Sequence, residues 1–274
     1  MSTPPFHTKG GHGCSSDEEI LLQPFNSLLS SPNNNNLSIN CTETTTIHHL
    51  SHIQRHHVST LNADVIIRQV PSEGLSFQLW PAATSLFSLL NTHRLHRHLP
   101  LHPHRRIRIL ELGSGTGLVG ITAAAILGAD VTVTDLPHVI PNLEFNVAAN
   151  GSIIAANSGT VVAAELTWGD VDQMETIGRE YDVIVGSDVV YHDHLYEPLL
   201  NTLKFLLVKD EMVFLMAHLK RWKKETVFFR KAKKLFEVDV IHRDEPEDGK
   251  RVGVIVYRFV PRQKQLCKAS KADF

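Results

Sequence analysis

Short apolar runs alternate with longer stretches of helical period through the middle of the chain. Residues 107–112, 131–134, 181–187 and 212–217 read as strands, and 161–164 as a weaker one. Residues 118–127 predict a helix ended near Gly128. Residues 137–150 predict another, with Val139, Ile140, Leu143 and Val147 on one face and a stop at Asn150-Gly151. Residues 195–208 form a third, with Asp193 near its start, and 222–235 a basic amphipathic fourth. Residues 236–242 and 251–259 predict a closing antiparallel hairpin around 245–249. Upstream, 65–70 reads as a strand and 75–80 as a second strand or an extended approach. Pro81 suits the first turn of a helix continued by 82–90, and 91–106 is a His- and Arg-rich loop. Strands alternating with helices predict an α/β fold, a mostly parallel sheet with helices on both faces. No internal repeat is visible.

The ends differ from this middle. Residues 1–45 carry the run Asn33-Asn34-Asn35-Asn36 among Ser, Thr, Pro and Gly, and bury too little apolar surface to offset ordering entropy. Ser15-Ser16-Asp17-Glu18-Glu19 there reads first as a solvated stretch and second as an acid-directed phosphorylation site. The expected organisation is a tail over 1–45, a hairpin and helix extension over 46–106, a ligand-binding domain over 107–260, and a short polar tail over 261–274.

Charge and cysteine usage narrow the class. The 274 residues hold 27 Lys and Arg against 29 Asp and Glu, a net charge of −2, which argues against a coat for nucleic acid or anionic membrane. Cys14, Cys41 and Cys267 are far apart and form no C-x-x-C pair, so neither a disulfide framework nor a cysteine zinc site is expected. The first twenty residues resemble neither a secretory signal nor a transit peptide, and the longest apolar stretch, 118–129, is too short to span a bilayer. A reducing, cytoplasmic setting is the expectation, with a nuclear pool left open.

The candidate chemistry starts at Glu111-Leu112-Gly113-Ser114-Gly115-Thr116-Gly117, directly after the first strong strand and at the opening of a helix. Glycines there let a ligand approach the backbone at the carboxyl ends of the strands. Asp135 ends the next strand, where an acid can accept both hydroxyl protons of a ribose. The position implies a nucleoside-containing cofactor, and two compete. Gly115-Thr116-Gly117-Leu118-Val119-Gly120 is a literal dinucleotide fingerprint. The wider E-x-G-x-G-x-G pattern instead suits S-adenosylmethionine, with Glu111 serving the cationic methionine end. A pyrophosphate would be repelled by that acid.

Seventeen histidines are many, and ten fall in two clusters: His48, His49, His52, His56, His57 and His93, His96, His98, His102, His104. His48, His52 and His56 would align on a helix, but no apolar face supports one, and acidic partners are missing. No metal site is expected. Arg94, Arg97, Arg105, Arg106 and Arg108 make one basic stretch; Lys220, Arg221, Lys223, Lys224, Arg230, Lys231, Lys233 and Lys234 make another. Were both on the substrate side, RNA would be a candidate partner; solvated faces, or steering of an acidic protein surface, are the other readings.

Four pieces in order extend the glycine motif: Leu79-Trp80-Pro81-Ala82-Ala83, the run from Leu110 to Gly120, Val133-Thr134-Asp135-Leu136 with Leu166-Thr167-Trp168-Gly169, and Ser187-Asp188-Val189-Val190-Tyr191. Together they resemble methyltransferase family 16, the protein-lysine methyltransferase-like group of the seven-β-strand class I methyltransferases, over roughly residues 60–260. The resemblance implies a Rossmann-like sheet of seven strands with the last antiparallel, and S-adenosylmethionine as cofactor. It implies that Trp80 lines the methionine side, that Gly113, Ser114 and Gly115 approach by backbone, that Asp135 holds the ribose, that Trp168 flanks the adenine and that Ser187 contacts the cofactor. It departs at Pro81, where many close relatives carry Asp, which leaves the subgroup open.

Asp188 and Tyr191 are the expected catalytic pair, forming with Trp80 an acidic, aromatic mouth suited to a lysine ammonium. The expected partner is a lysine-bearing protein, of the chaperone or ATPase kind by family resemblance, acted on by a monomer. The alternatives are a non-catalytic relative, a methyltransferase for RNA or a small molecule, and a nicotinamide oxidoreductase. The N-P-P-Y tetrad suited to flipped bases is replaced here by Ser187-Asp188-Val189-Val190.

Overall fold

The computed structural model describes residues 51–246 and 252–262. The expected tail over 1–45, its acidic serine motif, the three cysteines, the tip of the closing hairpin and nearly all of 261–274 lie outside them. The chain divides into two compact units, Met1–Ile47 and His48–Phe274, and all the described residues belong to the second.

The apolar runs become strands because alternate residues find a core on each side. β3 (Arg108–Leu112) sends Ile109 into one core and Leu110 and Leu112 into the other. β6 (Val183–Ser187) and β7 (Val213–His218) divide in the same way: Val183, Val185, Val213 and Leu215 face one core, Ile184, Phe214 and Met216 the other. Burial on both faces is why these strands read as continuous apolar runs. β4 (Asp130–Asp135) and β5 (Thr160–Glu165) extend the sheet on one side; β8 (Phe236–Arg243) and β9 (Ile255–Pro261) close it on the other. The order is β5-β4-β3-β6-β7-β9-β8, with β9 antiparallel to both neighbours and every other pair parallel.

α1 (Pro81–Asn91), α2 (Leu118–Leu127), α3 (Ile140–Ala149) and α4 (Gly151–Ala156) cover one face. α5 (Val171–Ile177), α6 (Tyr196–Leu206) and α7 (Thr226–Leu235) cover the other. The chain leaves β3 outward through β4 and β5, then returns to β6 on the opposite side of β3. That reversal opens a crevice at the carboxyl ends of β3 and β6, the usual ligand position in such sheets.

Some expectations need correction. Residues 75–80 form no strand: Leu75–Phe77 is one 3-10 turn, with Phe77 buried beside Val70 and Val139. The histidine-rich segment upstream is β1 (His52–Val58), paired antiparallel with β2 (Ala63–Gln69). Its first four residues are all exposed, three of them polar or basic around the single Ile53, so no period marks it as a strand. The 93–108 basic stretch leads into the amino end of β3, opposite the crevice, and Arg105 there forks onto Asp182 at 2.6 and 2.8 Å. It therefore does not share a face with the 220–224 segment that follows β7, which removes the geometry an RNA surface required.

The hairpin is stitched to α3 by side chains that imitate a strand. Asn146 accepts from Arg68 N–H at 2.8 Å and donates to Arg68 O at 3.1 Å; Asn150 does the same for Ile66 at 2.8 and 2.7 Å. Two buried carboxamides thus satisfy the free edge of β2, which would otherwise hold unpaired backbone groups. Asn146 also donates to Thr116 O at 2.9 Å, tying the glycine loop to the same stitch. Asn146→Ala removes three hydrogen bonds and strands buried partners, so a loss of about 2–4 kcal/mol is expected. Thermal unfolding by circular dichroism should show a midpoint lower by about 5–15 °C; an unchanged midpoint would contradict the stitch.

Candidate active site

The carboxyl ends of β3, β4 and β6, with the residues after β5 and the turn before α1, deliver the candidate side chains to one edge. Gly113 and Gly115 have φ of 60° and 56°, left-handed values that side chains rarely adopt. A Cβ at Gly113 would stand 3.0 Å from the Trp168 indole and 3.3 Å from Val189; one at Gly115 would stand 3.0 Å from Ser76 O. The loop is thus walled by the half-buried Trp168 on one side and by the 75–77 turn on the other.

The loop is held from below. Ser114 N–H donates to Thr134 O at 2.9 Å, and the Ser114 hydroxyl accepts from Thr134 N–H at 3.0 Å. Gly115 N–H donates to Asp135 Oδ2 at 2.7 Å, and Leu136 N–H to Oδ1 at 2.8 Å. Burial pushes the Asp135 carboxyl above its ordinary range against those two donors. The N–H groups of Ser114 and Gly115 are therefore engaged inside the protein, and close approach along this loop relies on the missing side chains. Asp135 stands at the end of β4, beside the loop, as expected.

Glu111 departs from the expected position at the cationic end of a ligand. Its side chain turns inward, 1% exposed, and accepts from Gly120 N–H at 2.9 Å. A Cβ at Gly120 would lie 2.4 Å from Val133 and 2.7 Å from this carboxyl, so only glycine admits it. Burial, opposed by the Gly120 and Ser114 hydrogen bonds, raises its pKa to about 8. A largely protonated acid under the loop braces α2 and does not pair with a cation. It also occupies an amide at the helix start that a pyrophosphate would use. Residues 113–120 carry no Lys or Arg. This loop, the acid ending β4 and the half-buried indole fit a nucleoside attached to a cationic group better than a dinucleotide.

The second part of the site follows β6. Ser187, half-buried, ends the strand; Asp188 then adopts φ +54°, a left-handed conformation that a short polar side chain tolerates. Its carboxylate, 5% exposed, accepts from Leu219 N–H at 2.9 Å and from both terminal nitrogens of Arg221 at 3.2 and 3.0 Å. The Arg221 guanidinium lies 5.2 Å from the Trp80 ring centroid, and Trp80 itself donates to Leu75 O at 2.9 Å. His218, buried, faces the Glu225 carboxylate at 3.1 Å through Nε2 and stands 3.7 Å from Asp188 through Nδ1. Tyr191 packs against His192 with the rings tilted by 56°, and burial, then the charge of Asp135, holds its phenol neutral by raising its pKa.

Trp80, Gly113, Ser114, Gly115, Asp135, Trp168, Ser187, Asp188 and Tyr191 therefore gather along one edge; Glu111 lies beneath it. Sequence reasoning misses Arg221, His218, Glu225 and Ser76 as members. Arg221 is visible there only as part of a basic run. Among the described residues, no group of three or more His, Cys, Asp or Glu is arranged to hold a metal, and no helix is long and apolar enough to cross a membrane.

The buried acid predicts a pH dependence. Folded Glu111 keeps its proton to about pH 8, whereas an ordinary carboxyl releases it near 4.5. Its stabilising share is complete below 4.5 and is lost as pH rises toward 8. The stability of the native protein relative to Glu111→Gln should fall by up to about 1.4 kcal/mol per pH unit across that window. Urea unfolding of both at about pH 5, 6.5 and 8 checks it; a constant difference would refute the protonated acid.

A family model described as lysine methyltransferase matches residues 60–235. The protein is 38% identical over 153 residues to protein N-lysine methyltransferase METTL21A of Danio rerio, covering 56% of this chain and 66% of that one. It is 31% identical over 202 residues to EEF1A lysine methyltransferase 3 of Mus musculus, covering 73% of this chain and 78% of that one. In fold it is similar to the Thermus thermophilus 16S rRNA N2 G1207 methyltransferase RsmC, with TM-score 0.54 and 19% identity over 81% of this chain and 53% of that one. The chain belongs to the lysine methyltransferase family, with S-adenosylmethionine as its cofactor.

Proposed function

We propose that the protein transfers a methyl group to a lysine side chain of a protein substrate at the Asp188–Trp80–Tyr191 corner. The observation that carries this reading is a cation already seated there: Arg221 lies against the Asp188 carboxylate and over the Trp80 ring. An acid and an indole that hold a guanidinium can also receive an ammonium, by charge pairing and cation–π attraction.

The 113–115 loop, Asp135, Trp168 and Ser187 would hold S-adenosylmethionine, which would supply an electrophilic methyl on a sulfonium. The protein must present the amine. A free lysine titrates near 10.4, so its neutral form costs about 4 kcal/mol at about pH 7.4. Asp188 stabilises the ammonium, so it serves capture and orientation, with the proton leaving to water. The half-buried walls of Trp80, Trp168 and Tyr191 strip water from the amine and favour its neutral form. Tyr191, kept as a phenol, offers an O–H and an aromatic face but no base. Alignment in this corner supplies much of the rate.

The substrate kind suggested by the resemblance is a chaperone or an ATPase, met by a monomeric enzyme in the cytoplasm. The mouse relative is named for EEF1A, a different protein, so the target is to be found by labelling.

Isotope-labelled S-adenosylmethionine incubated with the protein and a soluble cell extract should label a discrete, RNase-resistant protein band. Asp188→Asn keeps the acceptor for Leu219 N–H but loses the charge. It should lower kcat/KM about 10- to 100-fold, the worth of one charge-assisted contact, while leaving cofactor affinity within about threefold. Label that disappears with RNase, or an Asp188→Asn variant as active as the native protein, would overturn the reading.

A further inference from the structure

The Asp188–Arg221 pair poses a problem for substrate entry, and its solution points to a class of target lysine. Arg221 stands where an incoming ammonium must go. Its backbone is fixed, since Arg221 N–H donates to the buried Glu225 carboxylate at 3.2 and 3.3 Å. Its side chain is 28% exposed and, besides Asp188, meets Leu219 O at 3.1 Å and the Trp80 ring at 5.2 Å. All three contacts belong to the side chain, so an incoming cation can exchange for it while the backbone of the loop stays in place. Around it, Lys220, Trp222, Lys223 and Lys224 are all exposed, so the rim beside Asp188 is a run of cations on either side of one indole.

If a lysine displaced Arg221 and nothing else changed, Asp188 would remain paired, but a guanidinium would be freed among three lysines. Glu225 cannot receive it, because that carboxylate already serves His218 and the Arg221 backbone. There the freed guanidinium meets only like charges, an arrangement that favours a partner surface of opposite sign. A carboxylate arriving with the substrate would provide it.

We propose that the target lysine is accompanied by a neighbouring Asp or Glu, and that binding is an exchange of ion pairs: the lysine takes Asp188 and the substrate acid takes Arg221. Arg221 is thus a specificity-determining residue, and the exposed Lys220, Lys223 and Lys224 extend its preference for an acidic surface. No covalent step is involved. The inference rests on the lysine-transfer reading above and names the substrate class for that site.

The full-length protein, labelled S-adenosylmethionine and a soluble extract yield the labelled protein, and mass spectrometry maps its lysine. Steady-state kinetics are then measured on that protein with its neighbouring acid intact, neutralised to the amide, or reversed to lysine. With the native enzyme, neutralisation should raise KM about tenfold and reversal more, with kcat little changed. With Arg221→Gln, the three substrates should differ by less than about threefold. Thermal midpoint and cofactor affinity establish that this variant is folded; if it is not, the native enzyme's three-substrate series decides alone. A mapped lysine with no carboxylate within about 10 Å, roughly a screening length, or equal turnover of all three substrates, would overturn the exchange while leaving lysine transfer intact. So would an acid preference that survives unchanged in a folded Arg221→Gln. Cofactor binding with no labelled protein at all would instead remove the lysine-transfer reading, and this inference with it.

Discussion

The glycine loop is held by two carboxyl groups that it cannot do without. Asp135 takes the amide of Gly115, and Glu111 takes that of Gly120 from below. Between them, Ser114 and Thr134 exchange hydrogen bonds that weld the end of β3 to the end of β4. A loop with left-handed backbone at three positions would otherwise sample many shapes, and the cost of ordering it would fall on ligand binding. Here that cost is met in folding, so the loop can await its ligand already in shape.

The same support extends outward. The Asn146 carboxamide joins the loop, through Thr116, to the edge of β2, so the amino-terminal hairpin supports the site without touching it. Residues 75–77 pack over Gly115 and fix Trp80 through its indole N–H. On the far side, His218, Glu225 and Arg221 surround Asp188 where the chain leaves β7. Asp188 is thus embedded among polar partners, and what it can bind depends on which of them a ligand displaces.

Much of the fold is legible in the sequence because its strands are buried on both faces and its helices carry apolar stripes. The run 107–112, the helix 118–127 with Gly128 after it, and the loop between them are set by local rules of burial and backbone freedom. The departures share one cause, which is distance. β1 is polar along most of its length and becomes a strand only because β2 and, behind it, two asparagines of α3 and its end are in place. Asn142, Asn146 and Asn150 recur every four residues, a polar stripe on a helix that signals a buried partner. Glu111 reads as facing a ligand because its inward turn depends on Gly120, further along the chain, lacking a side chain. The Arg221 pairing spans 33 residues of sequence and has no periodic trace.

The left-handed backbone at Asp188 has a consequence for how this position can vary. The acid is carried by a backbone that favours a short polar side chain able to hydrogen-bond locally. Asparagine tolerates that conformation and matches the length, so charge can be lost in a single step with the geometry retained. Glutamate keeps the charge but lacks the short polar stem that makes the conformation tolerable. In mutational terms the strand end is a switch between charged and neutral, and lines of descent that keep the fold can silence the site far more readily than they can retune its depth.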